Sequence, residues 1–210
     1  MKEIGRKIDS SIENPIDNVF ITVSDKLTPI FRKFNYTPNG LTTISLILAL
    51  TSYYHLYNYE ITSFSIYFIL SYLFDCMDGY YARKYNMISE FGDYYDHFAD
   101  LSKILILMCI IYSQYNITDY PIVLLILCCL FVIGLIYFGC NEQIANDGYK
   151  STTLGIFKNI SPNIESCHDY VRYLKYFGSG TWIFVIIIAV IYLNDQRLHK
   201  NILDISHHYL

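Results

Sequence analysis

Charge is scarce in this chain. Lys, Arg, Asp and Glu make up 16% of its 210 residues, against 53% hydrophobic. Soluble domains carry about 25% charged residues, so a soluble globular reading is disfavoured. There is no internal repeat and no low-complexity linker, and the length suits one domain or two small ones. The first residues, MKEIGRKIDSSIENPIDNVF, have basic groups with no apolar core behind them, so no secretory signal is expected. The six cysteines form no CxxC pair and no Cys/His metal spacing, and Cys128 and Cys129 sit inside an apolar run. Buried free thiols are therefore expected rather than a disulfide framework. The net charge of -4 decides little, because its sign varies along the chain. No nucleic-acid partner is expected.

What is present comes in blocks. Leu41 to Tyr57, Ile61 to Leu73, Ile104 to Ser113, Pro121 to Cys140 and Gly180 to Leu193 are apolar or aromatic, almost without charge. Crossing a bilayer as a helix takes about 17–25 such residues. Some blocks fall short alone, but the polar stretch between the second and third can complete both. The expectation is an all-α, polytopic membrane protein of about six transmembrane helices.

Residues 1–39 read as a juxtamembrane arm, 40–195 as the transmembrane domain and 196–210 as a tail. Within the arm, Ile16, Val19, Phe20, Val23, Leu27 and Ile30 recur near helical spacing, predicting an amphipathic helix on the membrane surface. Pro38 marks a boundary, and Asn39 or Thr42 could cap the next helix. Spans are predicted near 41–57, 62–85, 91–113, 121–144 and 180–194. The segment around 166–178 reads equally as a short span or a surface helix. Basic residues crowd the arm and the 83–91 and 146–168 loops, while residues 58–61 and 114–120 have none. The positive-inside rule then puts the arm and those loops in the cytosol, and a cytosolic tail favours an even count of spans. Asn116 and Thr118 form a glycosylation sequon on the predicted outer side, too near the bilayer to weigh much.

Between the second and third blocks lie Asp75, Asp78, Asp93, Asp96 and Asp100. Asp75, Asp78, Ala82 and Arg83 share one helical face, and Gly92, Asp96 and Asp100 share another. A short linker makes the two helices antiparallel neighbours, so their acidic faces can meet. An ionised Asp near the centre of a lipid-embedded helix costs about 2.5–3.5 kcal/mol. Four converging carboxylates also repel one another, so protons or cations must neutralise them. All-oxygen ligands suit hard cations, and four carboxylates could hold two ions, as two-metal phosphoryl-transfer sites do. Gly79 and Ala82 leave a groove, and Arg83 can grip a phosphate. These residues point to chemistry on a diphosphate. A satisfied polar network, or a cation path through a transporter, remains the alternative at this point.

The stretch reads Asp75-x2-Asp78-Gly79-x2-Ala82-Arg83-x8-Gly92-x3-Asp96-x3-Asp100. It resembles, at all eight fixed positions and with the right spacing, the signature of the CDP-alcohol phosphatidyltransferase family. TPNGLT, before the first span, is similar to another element of that family. The resemblance implies six transmembrane helices, frequent homodimers and an active site at the cytosolic membrane face. It implies transfer of a phosphate-bearing group from a CDP-linked donor to an alcohol in phospholipid biosynthesis, with release of CMP. By that likeness Asp75, Asp78, Asp96 and Asp100 ligate two divalent cations, Mg²⁺ or Mn²⁺. Asp100 also acts as the base on the attacking hydroxyl. Pro38, Asn39, Gly79, Ala82, Arg83 and Ser89 would contact the CDP-linked donor. Asp93 lies outside the signature and reads as a helix-start or surface charge.

Two branches share the signature. One uses CDP-diacylglycerol and a polar alcohol; the other uses CDP-choline or CDP-ethanolamine and diacylglycerol. DGYYARKYN is similar to the inositol-transferring enzymes, and the short chain fits the first branch. His97 after Asp96 resembles the second. The first branch is favoured, with no particular alcohol singled out. Lys150, Lys158, Arg172 and Lys175 could bind an anionic acceptor or lipid headgroups, though the positive-inside reading is preferred. His168 and Asp169 could line an acceptor pocket or lie on the surface. His207 and His208 read as tail residues, and the 22 tyrosines as interfacial belts.

Overall fold

The computed structural model describes residues 4–145, 151 and 153–208; Lys150 lies outside them, as do the side chains of His207 and His208. The described residues form helices and no strand. In chain order these are α1 (Pro15–Lys33), α2 (Pro38–Tyr57), α3 (Ile61–Lys84), α4 (Glu90–Tyr115), α5 (Pro121–Ile144), α6 (Ile164–Leu174) and α7 (Ser179–His208). Short 3₁₀ turns cover Ile117–Asp119, Leu154–Asn159 and Lys175–Phe177.

Local chemistry sets the boundaries. Asn14 caps α1, accepting the Ile16 and Asp17 N–H groups, with Pro15 in the first turn where no N–H is needed. The cap of α2 is Thr37, whose Oγ1 accepts the Gly40 N–H at 3.1 Å. This corrects the expectation of Asn39 or Thr42, since Pro38 favours the first helical position and moves the cap one residue earlier. Ser89 caps α4 through the Gly92 N–H. Asn35, Asn86 and Asn116 take positive φ just past α1, α3 and α4, a conformation Asn tolerates at helix ends.

The arm helix is amphipathic with its polar side inward. Val19, Val23 and Ile30 are exposed, while Asp17, Ser24 and Thr28 are buried. The inward face meets α3. Tyr72 donates to Asp17, Tyr80 donates to Asp25 at 2.8 Å, and Lys84 reaches Asp25 at 2.6 Å. The outward apolar face suits lipid.

Helices α2 and α3 pack closely through small residues. Ser45 Oγ donates to the Ser71 carbonyl at 3.0 Å, Ser71 Oγ donates back to the Ser45 carbonyl at 2.9 Å, and Ser52 Oγ reaches the Phe64 carbonyl. Beyond them lies an apolar core of Ala49, Tyr53, Leu56, Phe64, Phe68, Leu107, Ile111, Val190 and Leu193, joining α2, α3, α4 and α7. A smaller cluster of Leu41, Met77 and Tyr81 lies under the signature end.

Among the described residues, three helical stretches are long and apolar enough to cross a membrane: Glu90–Tyr115, Pro121–Ile144 and the run Ile164–Ile202. The chain is an integral membrane protein. The six spans expected from the sequence are not established by this count. Helix α6 has 11 residues, so at 1.5 Å per residue it rises about 16 Å, short of the ~30 Å hydrocarbon core. Helix α6 is therefore too short to cross the core by itself and runs through the Lys175–Phe177 turn toward α7.

One cysteine expectation is overturned. Cys140 of α5 and Cys167 of α6 form a disulfide and are fully buried. They are 27 residues apart, a separation with no motif spacing, and only the packing of α6 on α5 brings them together. Cys76, Cys109, Cys128 and Cys129 are free thiols, and of these Cys109, Cys128 and Cys129 are exposed rather than buried.

Candidate functional site

The acidic faces of α3 and α4 do meet. Carboxylate oxygens of Asp75, Asp78 and Asp96 all lie within 4.8 Å of one another. Their helices approach because the 85–89 linker is short and ends on the Ser89 cap. Helix α2 closes the third side. Thr42 Oγ1 donates to Asp78 Oδ2 at 2.6 Å, and Ser45 Oγ lies 3.4 Å from Asp75 Oδ1.

Asp100 stands one turn beyond that trio and outside it. Its Oδ1 pairs with Lys103 at 2.7 Å, and the same ammonium contacts Asp75. Lys103 also reaches Ser45 Oγ at 3.3 Å. It is the main site residue that sequence reasoning missed, although its spacing of three from Asp100 put it on the acidic face. Thr42 was read only as a cap, and Ser45 not at all.

Arg83 lies one turn past Gly79. A Cβ on Gly79 would come within 3.1 Å of Arg83 Nη1, so the glycine lets the guanidinium lie along the helix. Arg83 Nε donates to the Gly5 carbonyl at 2.7 Å. Ala82 is half-buried on the same stretch. Pro38 and Asn39 open α2, and a Cβ on Gly92 would sit 3.2 Å from Asn39 Oδ1 and 3.0 Å from Ser89 Oγ. The starts of α2 and α4 thus bring Asn39, Ser89 and Gly92 together.

Asp93 lies in the first turn of α4, as a helix-start charge, and also binds across to the segment after α5. It accepts from Ser151 Oγ at 3.0 Å and from the Thr153 N–H at 3.2 Å. His97 Nδ1 lies 2.7 Å from Thr153 Oγ1 and 2.7 Å from the Asp93 carbonyl. Both residues hold the segment after α5. Arg172, His168 and Asp169 are exposed, and Lys175 is tied to the Ser11 carbonyl.

The trio can be tested as a cation site on its own geometry. It offers hard oxygen donors from two helices, and Asp96 Oδ1 is buried with no hydrogen-bond partner among the described residues. An unpartnered buried carboxylate oxygen is costly unless something positive meets it. The donor set fits a divalent oxygen-seeking ion such as Mg²⁺ or Mn²⁺.

The family model for CDP-alcohol phosphatidyltransferase matches residues 35–192. The chain belongs to that family. The matched region contains the trio, Asp100, Arg83 and all of α2 to α5. Among characterised relatives, the chain is 25% identical over 198 residues to a CDP-diacylglycerol–inositol 3-phosphatidyltransferase of Candida albicans, covering 83% of this chain and 86% of that protein. The enzyme with the same description from Saccharomyces cerevisiae is 36% identical over 80 residues, which is 38% of this chain and 36% of that one. A CDP-diacylglycerol–glycerol-3-phosphate 3-phosphatidyltransferase of Rickettsia felis is 34% identical over 68 residues, 32% of this chain and 38% of that one. No solved structure matches the chain.

Proposed function

We propose that this protein transfers the phosphatidyl group of CDP-diacylglycerol to a polar alcohol and releases CMP. The observation that carries the reading is the convergence of Asp75, Asp78 and Asp96 within the family-matched region. The relatives' activities on inositol and glycerol 3-phosphate support it.

Divalent cations held by Asp75, Asp78, Asp96 and Asp100 would supply positive charge to the diphosphate and to CMP as it leaves. The remaining work falls to side chains. Thr42 holds Asp78 in place by its hydroxyl. Asp100, the proposed base, stands where Lys103 orients its carboxylate, and its half-exposed side chain can take the proton of an incoming hydroxyl. Arg83, Gly79, Ala82, Pro38, Asn39 and Ser89 are the proposed donor contacts. The site faces the cytosol in this proposal, and the protein acts as a homodimer, following the positive-inside pattern and the family likeness.

The aminoalcohol branch loses its main cue, because Thr153 and Asp93 account for His97. A cation path is disfavoured by Lys103 and Arg83 beside the carboxylates. The test is CMP release by purified protein in liposomes with Mn²⁺ or Mg²⁺. CDP-diacylglycerol would be paired with a panel of alcohols, and CDP-choline or CDP-ethanolamine with diacylglycerol. Metal-dependent release with the first donor, lost in Asp100→Asn, is expected. Release only with an aminoalcohol donor would overturn the reading.

A further inference from the structure

A cavity of about 200 Å³ opens beside the carboxylate trio. Asp75 and Arg83 of α3 form one wall, Glu142 of α5 another, and Lys7, Glu13 and Asp17 of the arm close it. The arm lies outside the family-matched residues 35–192. It is nevertheless tied down firmly. Lys7 pairs with the fully buried Glu142, the Gly5 carbonyl accepts from Arg83, and the Asn14 amide donates to the Lys175 carbonyl and to Thr181 Oγ1.

Apart from any cation held on Asp75, the side chains of the wall supply no excess positive charge to hold a phosphate. Two cations face four carboxylates, and Lys7 is already matched by Glu142. Burial raises the Glu13 carboxyl and lifts that of Asp17 to about 7, so both are held toward their protonated, O–H-donating forms. The cavity's side chains therefore carry no positive excess, and they are rich in groups that donate and accept. Asn141 also lines it, is 8% exposed, and its Oδ1 has no hydrogen-bond partner among the described residues. That oxygen is a ready acceptor for a ligand hydroxyl. The bases once considered for an anionic acceptor do not contribute, since Lys158, Arg172 and Lys175 are not among the lining residues. The volume is also below the ~300–1,000 Å³ of sites for drug-sized ligands, too small for two acyl chains.

We infer that this cavity is the alcohol site, and that it selects a neutral polyhydroxy alcohol over a phosphorylated one. The inference rests on the phosphatidyl-transfer reading. One acceptor hydroxyl oxygen bonds to the phosphorus that carries the diacylglycerol. The phosphorus–oxygen bond to CMP breaks, and CMP leaves with the electron pair. The hydroxyl proton passes to Asp100, the proposed base, which Lys103 links to Asp75 of the cavity wall, and then to water. Acceptor choice is set by the arm and Asn141, residues apart from the shared signature.

The experiment uses the full chain in liposomes containing CDP-diacylglycerol and Mn²⁺, with myo-inositol or glycerol 3-phosphate as acceptor. The expected kcat/KM for the neutral polyol exceeds that for the phosphorylated alcohol by about tenfold or more. Asn141→Leu should raise the polyol KM by about tenfold, the worth of one buried hydrogen bond, while the donor KM stays within about twofold. Preference for glycerol 3-phosphate in the unaltered protein would overturn the inference and leave phosphatidyl transfer standing. So would an unchanged polyol KM in a folded Asn141→Leu protein. If no alcohol supports CMP release, the transfer reading fails. Calorimetric titration of myo-inositol into the protein then decides the cavity alone, with no heat counting against it.

Discussion

Lys103 offers the sharpest test of the site's electrostatics. Its ammonium contacts Asp75 and lies 2.7 Å from Asp100 Oδ1, and its side chain is 12% exposed. Lys103→Met keeps the length and the apolar stem. It leaves two carboxylates facing each other with nothing between them. Breaking a buried ion pair from one side costs about 3–5 kcal/mol, because the partner stays charged and buried. The Asp100 side chain is 38% exposed, so solvent relieves part of this. A loss of about 3 kcal/mol is expected, or roughly 6–12 °C in Tm for a chain of this size. A divalent cation on Asp75, Asp78 and Asp96 would restore the missing positive charge beside Asp75. The assay is thermal unfolding of purified protein in detergent, in EDTA and in excess Mn²⁺. The variant should melt well below the wild type in EDTA, and Mn²⁺ should close much of the gap. Equal melting in EDTA would refute the reasoning, as would an equal rise of both proteins with Mn²⁺.

Other perturbations address the surrounding structure. Burial lifts Asp17 from 3.8 to about 7, so the folded state holds a proton that the unfolded chain has released. Stability should therefore fall as pH rises from about 4 to 7, by up to roughly 4 kcal/mol, and Asp17→Asn should flatten that slope in melting curves across this range. The Cys140–Cys167 bond closes a loop of 27 residues, worth about 3.5 kcal/mol by loop entropy, so reductant should lower Tm in the wild type and not in Cys140→Ala/Cys167→Ala. Thr42→Val keeps the shape and removes a hydrogen bond to the Asp78 carboxylate. It should cost about 1.5–3 kcal/mol in EDTA, read from the same melting assay.

Much of this molecule was legible in the sequence for a physical reason. Helical spacing is local, so the faces carrying Asp75 with Asp78, and Asp96 with Asp100, could be read directly. The arm helix was legible from its apolar period, but not the burial of its polar side. That depends on Tyr72, Tyr80 and Lys84 offering partners from α3. Thr42 and Ser45 were illegible as site residues because their role comes from α2 packing across α3. The disulfide was hidden for the same reason: Cys140 and Cys167 meet only after α6 folds back on α5. Asp93 looked redundant beside the signature until Ser151 and Thr153 supplied its purpose.

The division between signature and surroundings has a consequence for how such a site diversifies. The signature supplies what chemistry on a diphosphate demands: carboxylates for cations, small residues for close approach, and an arginine. Such a set is electrostatically unstable by itself, since three carboxylates within 4.8 Å repel. Stability must come from neighbours, here Thr42 and Ser45 on α2 and Lys103 on α4, with the Gly5 carbonyl steadying Arg83. Those neighbours need only supply a donor, an acceptor or a charge at the right place, and many residues can do so. The acceptor wall is freer still, because Lys7, Glu13 and Asp17 lie on an arm outside the family-matched residues. The carboxylate end can then stay constant while the arm changes the alcohol, and exchanging residues 4–34 between relatives with different acceptors should move acceptor preference more than metal dependence.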